Sequence, residues 1–219
     1  ETELNEGLGG GIVIYNAKAK LTGVNISNNV CAQLVNGAYV FEGQGITNHY
    51  GGGLAIYFES VVELYGCTVQ ANQAQAGGGI VMHRGSALTM KPDANGVGNQ
   101  VKQNISTGYG GGVYLRSRIN ANKGGQSVTL RNTLTVENAV FSGNKAGTGD
   151  FGGNGGSICV MTGGQLEIIN TEISSNEAQF GYEPQRDEND NIIYQDGEPL
   201  WIVATLKEQN PEQFGIVEN

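Results

Sequence analysis

Five times along the chain a run of glycines opens into an apolar stretch: GGGIVIY at 9–15, GGGLAIY at 51–57, GGGIVMH at 77–83, GGGVYLR at 110–116 and GGSICVM at 155–161. Each phrase is followed by a second signal, an apolar residue three positions before an asparagine: ISNN at 26–29, VQAN at 69–72, VKQN at 101–104, FSGN at 141–144 and ISSN at 173–176. Such a repeat builds units that bury their apolar faces only by stacking on one another, so it must be read before any single element. The clearest unit, residues 51–76, is 26 residues long. Longer spacings place insertions at 33–50, about 91–100, 117–126 and 147–154.

Within each unit the apolar residues alternate with polar ones, the period of a strand. Counted back from the asparagine, the first unit gives Ala19, Leu21, Val24 and Ile26, the second Val62, Leu64, Cys67 and Val69, and the fourth Leu134, Val136, Ala139 and Phe141. Lys20, Glu63, Thr135 and Glu167 fall between the inward positions. Three short strands per turn, repeated at this length, predict an all-β parallel β-helix whose like residues form columns about 4.8 Å apart. Two-residue hairpin turns, which a barrel or sandwich would need between most strands, are few.

The columns give meaning to the repeated residues. Asn29, Asn72, Asn104, Asn144 and Asn176 are expected to stack as an amide ladder at a bend, each donating to the next turn. Gly9, Gly10, Gly51, Gly52, Gly77, Gly78, Gly110, Gly111, Gly155 and Gly156 are expected where the backbone turns too tightly for side chains. They do not read as a phosphate loop, because they precede a strand and no Lys-Ser/Thr follows. One column is anomalous: Val13, Ala55, Val81, Tyr114 and Cys159 should face outward yet are mostly apolar, which predicts either a covered face or a partner contact. Cys31 and Cys67 read as small core residues, and Cys159 as the more reactive thiol.

Charge narrows the function. Residues 1–180 carry 12 acidic and 10 basic side chains, whereas 181–219 carry 9 acidic and 2 basic. No basic patch suits nucleic acid, and no apolar run is long enough for a membrane-spanning helix. Three cysteines without CxxC spacing favour neither a disulfide framework nor a zinc site, and no cofactor is expected. The opening ETELNEG is neither an initiator methionine nor a secretion leader, so a mature piece of a longer protein is expected.

The repeat ends near residue 180, dividing the chain into a β-helix, 1–180, and an acidic tail, 181–219, that caps it or begins a neighbouring module. IIYQDGEPLWI at 192–202 predicts a hairpin turning at Asp196-Gly197. Asp187, Asn189, Asn191 and Glu198 have the spacing of calcium-loop positions, but Ile192 stands where that loop needs glycine.

The pairing of GG-small-[ILV] with apolar-x-x-Asn resembles the chlamydial polymorphic outer-membrane proteins, whose passenger domains carry GGA[ILV] and FxxN repeats. FSGN at 141–144 matches FxxN outright; the other units have Ile or Val for Phe, and the glycine phrases have Gly or Ser for Ala. The likeness covers about residues 9–180. It implies the right-handed form of the β-helix and an exported, cell-surface or extracellular adhesin of the autotransporter-passenger kind.

Right-handed β-helices also host polysaccharide lyases and hydrolases, which need clustered acidic calcium ligands or paired carboxylates about 6.5–9.5 Å apart. Residues 1–180 hold only two aspartates, Asp93 and Asp150, in separate insertions, and His49 and His83 read as turn-exposed. The leading expectation is therefore adhesive or structural, with no catalytic residues: a protein or glycan ligand bound through the insertions around Tyr39, Phe41, His49 and Tyr50 and through the outward column. The alternatives are a polysaccharide-degrading enzyme and a filament built from further copies. Of two N-x-S sequons, Asn25 faces outward as a candidate glycosylation site, while Asn104 falls in the ladder.

Overall fold

A computed structural model describes residues 7–41, 49–116, 118–123, 126–147, 153–161, 163–179, 182–184, 194–195, 198–199 and 201–203. Four parallel sheets of five strands each wind up as five stacked rungs. The first sheet contains Ile12–Tyr15, Leu54–Tyr57, Ile80–His83, Val113–Arg116 and Ile158–Val160. The second holds Lys18–Thr22, Val61–Tyr65, Ala87–Lys91, Thr133–Glu137 and Gln165–Ile169, and the third Asn25–Ser27, Thr68–Gln70, Gln100–Lys102, Val140–Ser142 and Glu172–Ser174. The fourth is built from two-residue strands, Val30–Cys31, Gln73–Ala74, Ile105–Ser106, Lys145–Ala146 and Glu177–Ala178. This is a parallel β-helix with four strands per rung rather than the expected three. The fourth strand is too short to show a period.

Residues in register are those the alternation aligns: Leu21, Leu64, Met90, Val136 and Ile168 form one inner column, and Ile26, Val69, Val101, Phe141 and Ile173 another. The middle rungs are fully closed, with Leu64, Val69, Met90, Val136 and Phe141 inaccessible to solvent. Each such side chain contributes about 1.5–3 kcal/mol by leaving water. The two ends differ: Ile26 in the first rung is 4% exposed, whereas its counterpart Ile173 in the last is 48% exposed.

The bends between sheets use residues at positive φ. Gly9, Gly51, Gly77, Gly110 and Gly155 hold φ of 60 to 72° before the first sheet, and Asn28, Ala71, Gln103, Gly143 and Ser175 hold 52 to 63° before the fourth. A side-chain-bearing residue in the left-handed region costs about 1–2 kcal/mol, which the stacked ladders offset.

The insertions leave at the bends. Gln33–Val35 and Ala38–Val40 form an antiparallel hairpin, as do Arg118–Lys123 and Gln126–Leu130. In the tail Tyr194–Gln195 pairs antiparallel with Glu198–Pro199, the hairpin expected around 196–197, and Tyr182–Pro184 pairs with Trp201–Val203. Asp187, Asn189 and Asn191 of the calcium-like spacing lie outside the described residues, as does the side chain of Glu198.

Candidate functional site

The five asparagines form a continuous hydrogen-bonded rail. Asn29 Nδ2 donates to Asn72 Oδ1 at 2.9 Å, Asn72 Nδ2 to Asn104 Oδ1 at 3.0 Å, Asn104 Nδ2 to Asn144 Oδ1 at 3.0 Å and Asn144 Nδ2 to Asn176 Oδ1 at 2.9 Å. Each receiving oxygen also accepts the backbone N–H of the preceding asparagine, at 3.0–3.1 Å. The second amide hydrogen of Asn72, Asn104, Asn144 and Asn176 goes back to the carbonyl of Ile26, Val69, Val101 and Phe141 respectively. Every polar group of the three inner asparagine side chains is therefore engaged, which is what permits their burial. Asn104 is fully buried, whereas Asn25 is exposed and sterically open to modification.

The glycine phrase is the other half of this device. A β-carbon on Gly11 or Gly53 would stand 2.8–2.9 Å from the amide nitrogen of Asn29 or Asn72 in the same rung, and Gly79 meets Asn104 in the same way at 3.0 Å. The second glycine has a different constraint: a β-carbon on Gly10 would lie 2.5 Å from the carbonyl oxygen of Gly52 in the next rung. The phrase and the asparagine signal thus recur together because they touch in the first four rungs, Gly112 meeting Asn144 in the fourth, while Ser157 stands at the third position of the fifth. Their role is architectural and offers no opening for a ligand.

The outward apolar column is in register as expected, with Val13, Ala55, Val81, Tyr114 and Cys159 side by side along the first sheet. Of its two readings the covered face holds for four of the five residues, and the contact surface is corrected. Ala55, Val81, Tyr114 and Cys159 are buried in a second apolar cluster with Tyr50, Tyr57 and Ala76, and only Val13, at 45%, is exposed. The cover is partly the end of the 33–50 insertion: His49–Tyr50 adds a strand beside Gly7–Leu8, bringing Tyr50 to 6.4 Å from the Tyr114 ring. Tyr109 stacks on Tyr114 at 5.6 Å, and the Arg116 guanidinium lies over Tyr50 and donates to its hydroxyl.

Two other expectations change with this layer. His83 is buried rather than turn-exposed, edge-on to Tyr57 at 5.2 Å. His49 is half-buried, and desolvation lowers its pKa. Burial pushes the Cys159 thiol up to about 11, so it is no more reactive than Cys31, which burial likewise raises to about 11. All three cysteines are free.

Carboxylates on the described residues are dispersed. Glu63 and Glu167 share an outward column but Thr89 and Thr135 stand between them, a separation of three rungs, or roughly 14 Å at the usual strand spacing. Asp93 is engaged locally, its Oδ1 accepting the N–H groups of Asn95 and Val97. Among the described residues no group of three or more His, Cys, Asp or Glu could hold a metal ion, and no helix is long and apolar enough to cross a membrane.

One exposed apolar feature joins an expected contact residue, Tyr39, to one that was not expected, Leu34. Leu34 and Tyr39 are paired across the 33–40 hairpin, with Val35 opposite Ala38, and are 63% and 59% exposed. Asn36 and Gly37 close the hairpin at φ of 50° and 82°, as a type I′ turn requires, and the Asn-Gly dipeptide is the signal that could have found it. Of the other insertion residues expected at a contact, Phe41 is half-buried and Tyr50 buried. Comparison with known protein families, with curated proteins and with solved structures finds no match.

Proposed function

We propose that this chain is an extracellular or cell-surface β-solenoid with an adhesive role, in which the rungs are a rigid scaffold and an inserted hairpin engages a protein or glycan. The observation that carries this reading is the Leu34–Tyr39 pair. Two large apolar side chains stand together on one face of a hairpin, at high exposure, beyond a core that has no need of them. A tyrosine beside an aliphatic residue on a rigid turn is the kind of anchor that dominates binding energy, because ordering it costs little entropy. The likeness of the repeats to polymorphic outer-membrane passenger domains supports the same setting. A frame of fixed rungs also suits loop-borne recognition, since insertions at bends leave the core register unchanged.

The experiment is a comparison of wild type with the Leu34→Ser/Tyr39→Ser variant on glycan arrays and on intact cells. Both side chains are exposed, so the thermal transition should stay where it is while binding falls at least about tenfold, as loss of an anchor requires. Equal binding by the variant, or no binding by wild type to either surface, would overturn the reading.

A further inference from the structure

The two ends of the solenoid are complementary, and we infer that a second copy of this chain stacks head to tail, its first rung on the last rung of its neighbour. The last rung is open. Leu166, Ile168 and Ile173 occupy inner columns whose members in the preceding rung are inaccessible, yet they are themselves 39–48% exposed. Strands of the first and last rungs are also the edges of all four sheets, and among the described residues no further strand pairs with those outer edges.

Charge selects the partner. The first rung, residues 9–31, carries Lys18 and Lys20 and no carboxylate, and the last, 155–178, carries Glu167, Glu172 and Glu177 and no cation. Lys20 and Glu167 lie at opposite ends of one outward column, so continuing the register across a junction sets Glu167 beside Lys20 of the next copy. Head-to-head or tail-to-tail contacts would instead oppose like charges.

The amide rail has the same direction. Inside the molecule each asparagine donates to the Oδ1 of the next, but the terminal Asn176 Nδ2 turns to the carbonyl of its own Ser174 at 2.9 Å. At the other end no described residue donates to Asn29 Oδ1. A stacked copy supplies that acceptor to Asn176 in the geometry of every internal step, while Ile173 gains cover from the rung above. Because Ile26 is already nearly buried, the apolar gain falls on the open last rung, and the first rung contributes strand edges and lysines. Such a contact is heterologous and does not close, so it grows a filament rather than stopping at a dimer.

Sedimentation and negative-stain microscopy of the whole chain test this with surface substitutions that leave the core untouched. Wild type should gain mass with concentration and lose it with added salt. Glu167→Lys alone and Lys20→Glu alone should each weaken association by about tenfold or more, since each sets like charges at the junction. Mixing the two variants should restore it, because each then offers the other an opposite charge at both ends. The Leu34→Ser/Tyr39→Ser variant should assemble like wild type, which separates this inference from the adhesive reading. A single-chain mass at every concentration, a closed dimer, or single variants that assemble normally would overturn it. A monomer whose only tryptophan, Trp201, is shielded from a soluble quencher would give the open end to the chain's own tail instead.

Discussion

The amide nitrogen of Asn72 lies so close to the α-carbon of Gly53 that a β-carbon there would stand 2.9 Å from it. Neither residue can change without the other noticing. Asn72 needs the space to reach Asn104 Oδ1 and the Ile26 carbonyl together, and Gly53 provides it. Repetition of this pair from rung to rung is what gives the sequence its visible period.

The rail should be most sensitive at its middle. Asn104→Leu removes the acceptor of both the N–H and Nδ2 of Asn72 and the donor to the Val69 carbonyl, all buried. With about 1–3 kcal/mol for each orphaned group, a loss of at least about 3 kcal/mol is expected in urea unfolding. Asn29→Leu keeps the backbone N–H bond to Asn72 Oδ1 and removes only the Nδ2 donor, at a half-buried position, and should cost less than half as much.

Glycine substitutions should rank by space and not by φ alone. Gly23 has a φ of 64° but nothing within 4 Å of where a β-carbon would stand, so Gly23→Ala should cost about 1 kcal/mol. Gly52 lies outside the positive-φ set, yet its β-carbon would run into the carbonyl oxygens of Gly78 and Gln73. Gly52→Ala should cost more than about 3 kcal/mol, because backbone of two rungs must move. Chemical denaturation of the two variants checks the order.

On the outer face of the first sheet, Val13→Asp should change stability by less than about 0.5 kcal/mol, since the side chain is exposed. Tyr114→Asp, three rungs along the same column and under the cover, places a carboxylate among Tyr50, Tyr109 and Val81 and should lower the thermal transition markedly. Loss of binding by Tyr114→Asp would therefore report unfolding of the cover, which makes the hairpin pair the better probe of adhesion.

The buried thiols set an alkaline limit. Cys31 and Cys159 titrate near 11 in the folded chain, about two pH units above an exposed cysteine. Above about pH 8.5 the unfolded chain binds fewer protons than the folded one, so stability falls as pH rises from there toward 11. Unfolding midpoints across that range check the slope. A thiol-reactive chromogen should label all three cysteines at once in denaturant and slowly in the native protein.

Most of the scaffold was legible because its logic is local and repeated. Alternation aligned Leu64 with Met90 and Val136, and the apolar-x-x-Asn spacing aligned the rail, without knowledge of the insertions. The fourth sheet was not legible, since Gln73–Ala74 is too short to carry a period. A covered face was one of the two readings of the outward column, but what covers Tyr114 was not legible: Tyr50 reaches it from 64 residues away in sequence, and nothing local in an insertion states where it folds back. His83 is buried beside Tyr57, its register partner in the preceding rung, which a reading of the HRG turn alone does not reveal. The Asn36-Gly37 turn is as plain a signal as Asp196-Gly197, but reading 33–50 as an interruption of the repeat obscures it.

Because the rungs follow one another in chain order, a pull on the two ends of the chain loads the stack one layer at a time. The sheets would be peeled from an edge, each strand ladder opening in turn, rather than sheared as a block. A rung released in this way would let out roughly 26 residues, on the order of 90 Å of slack at about 3.4 Å per residue, before the next took the strain. Tethered between two surfaces, the molecule would act as a shock absorber whose steps are counted in rungs.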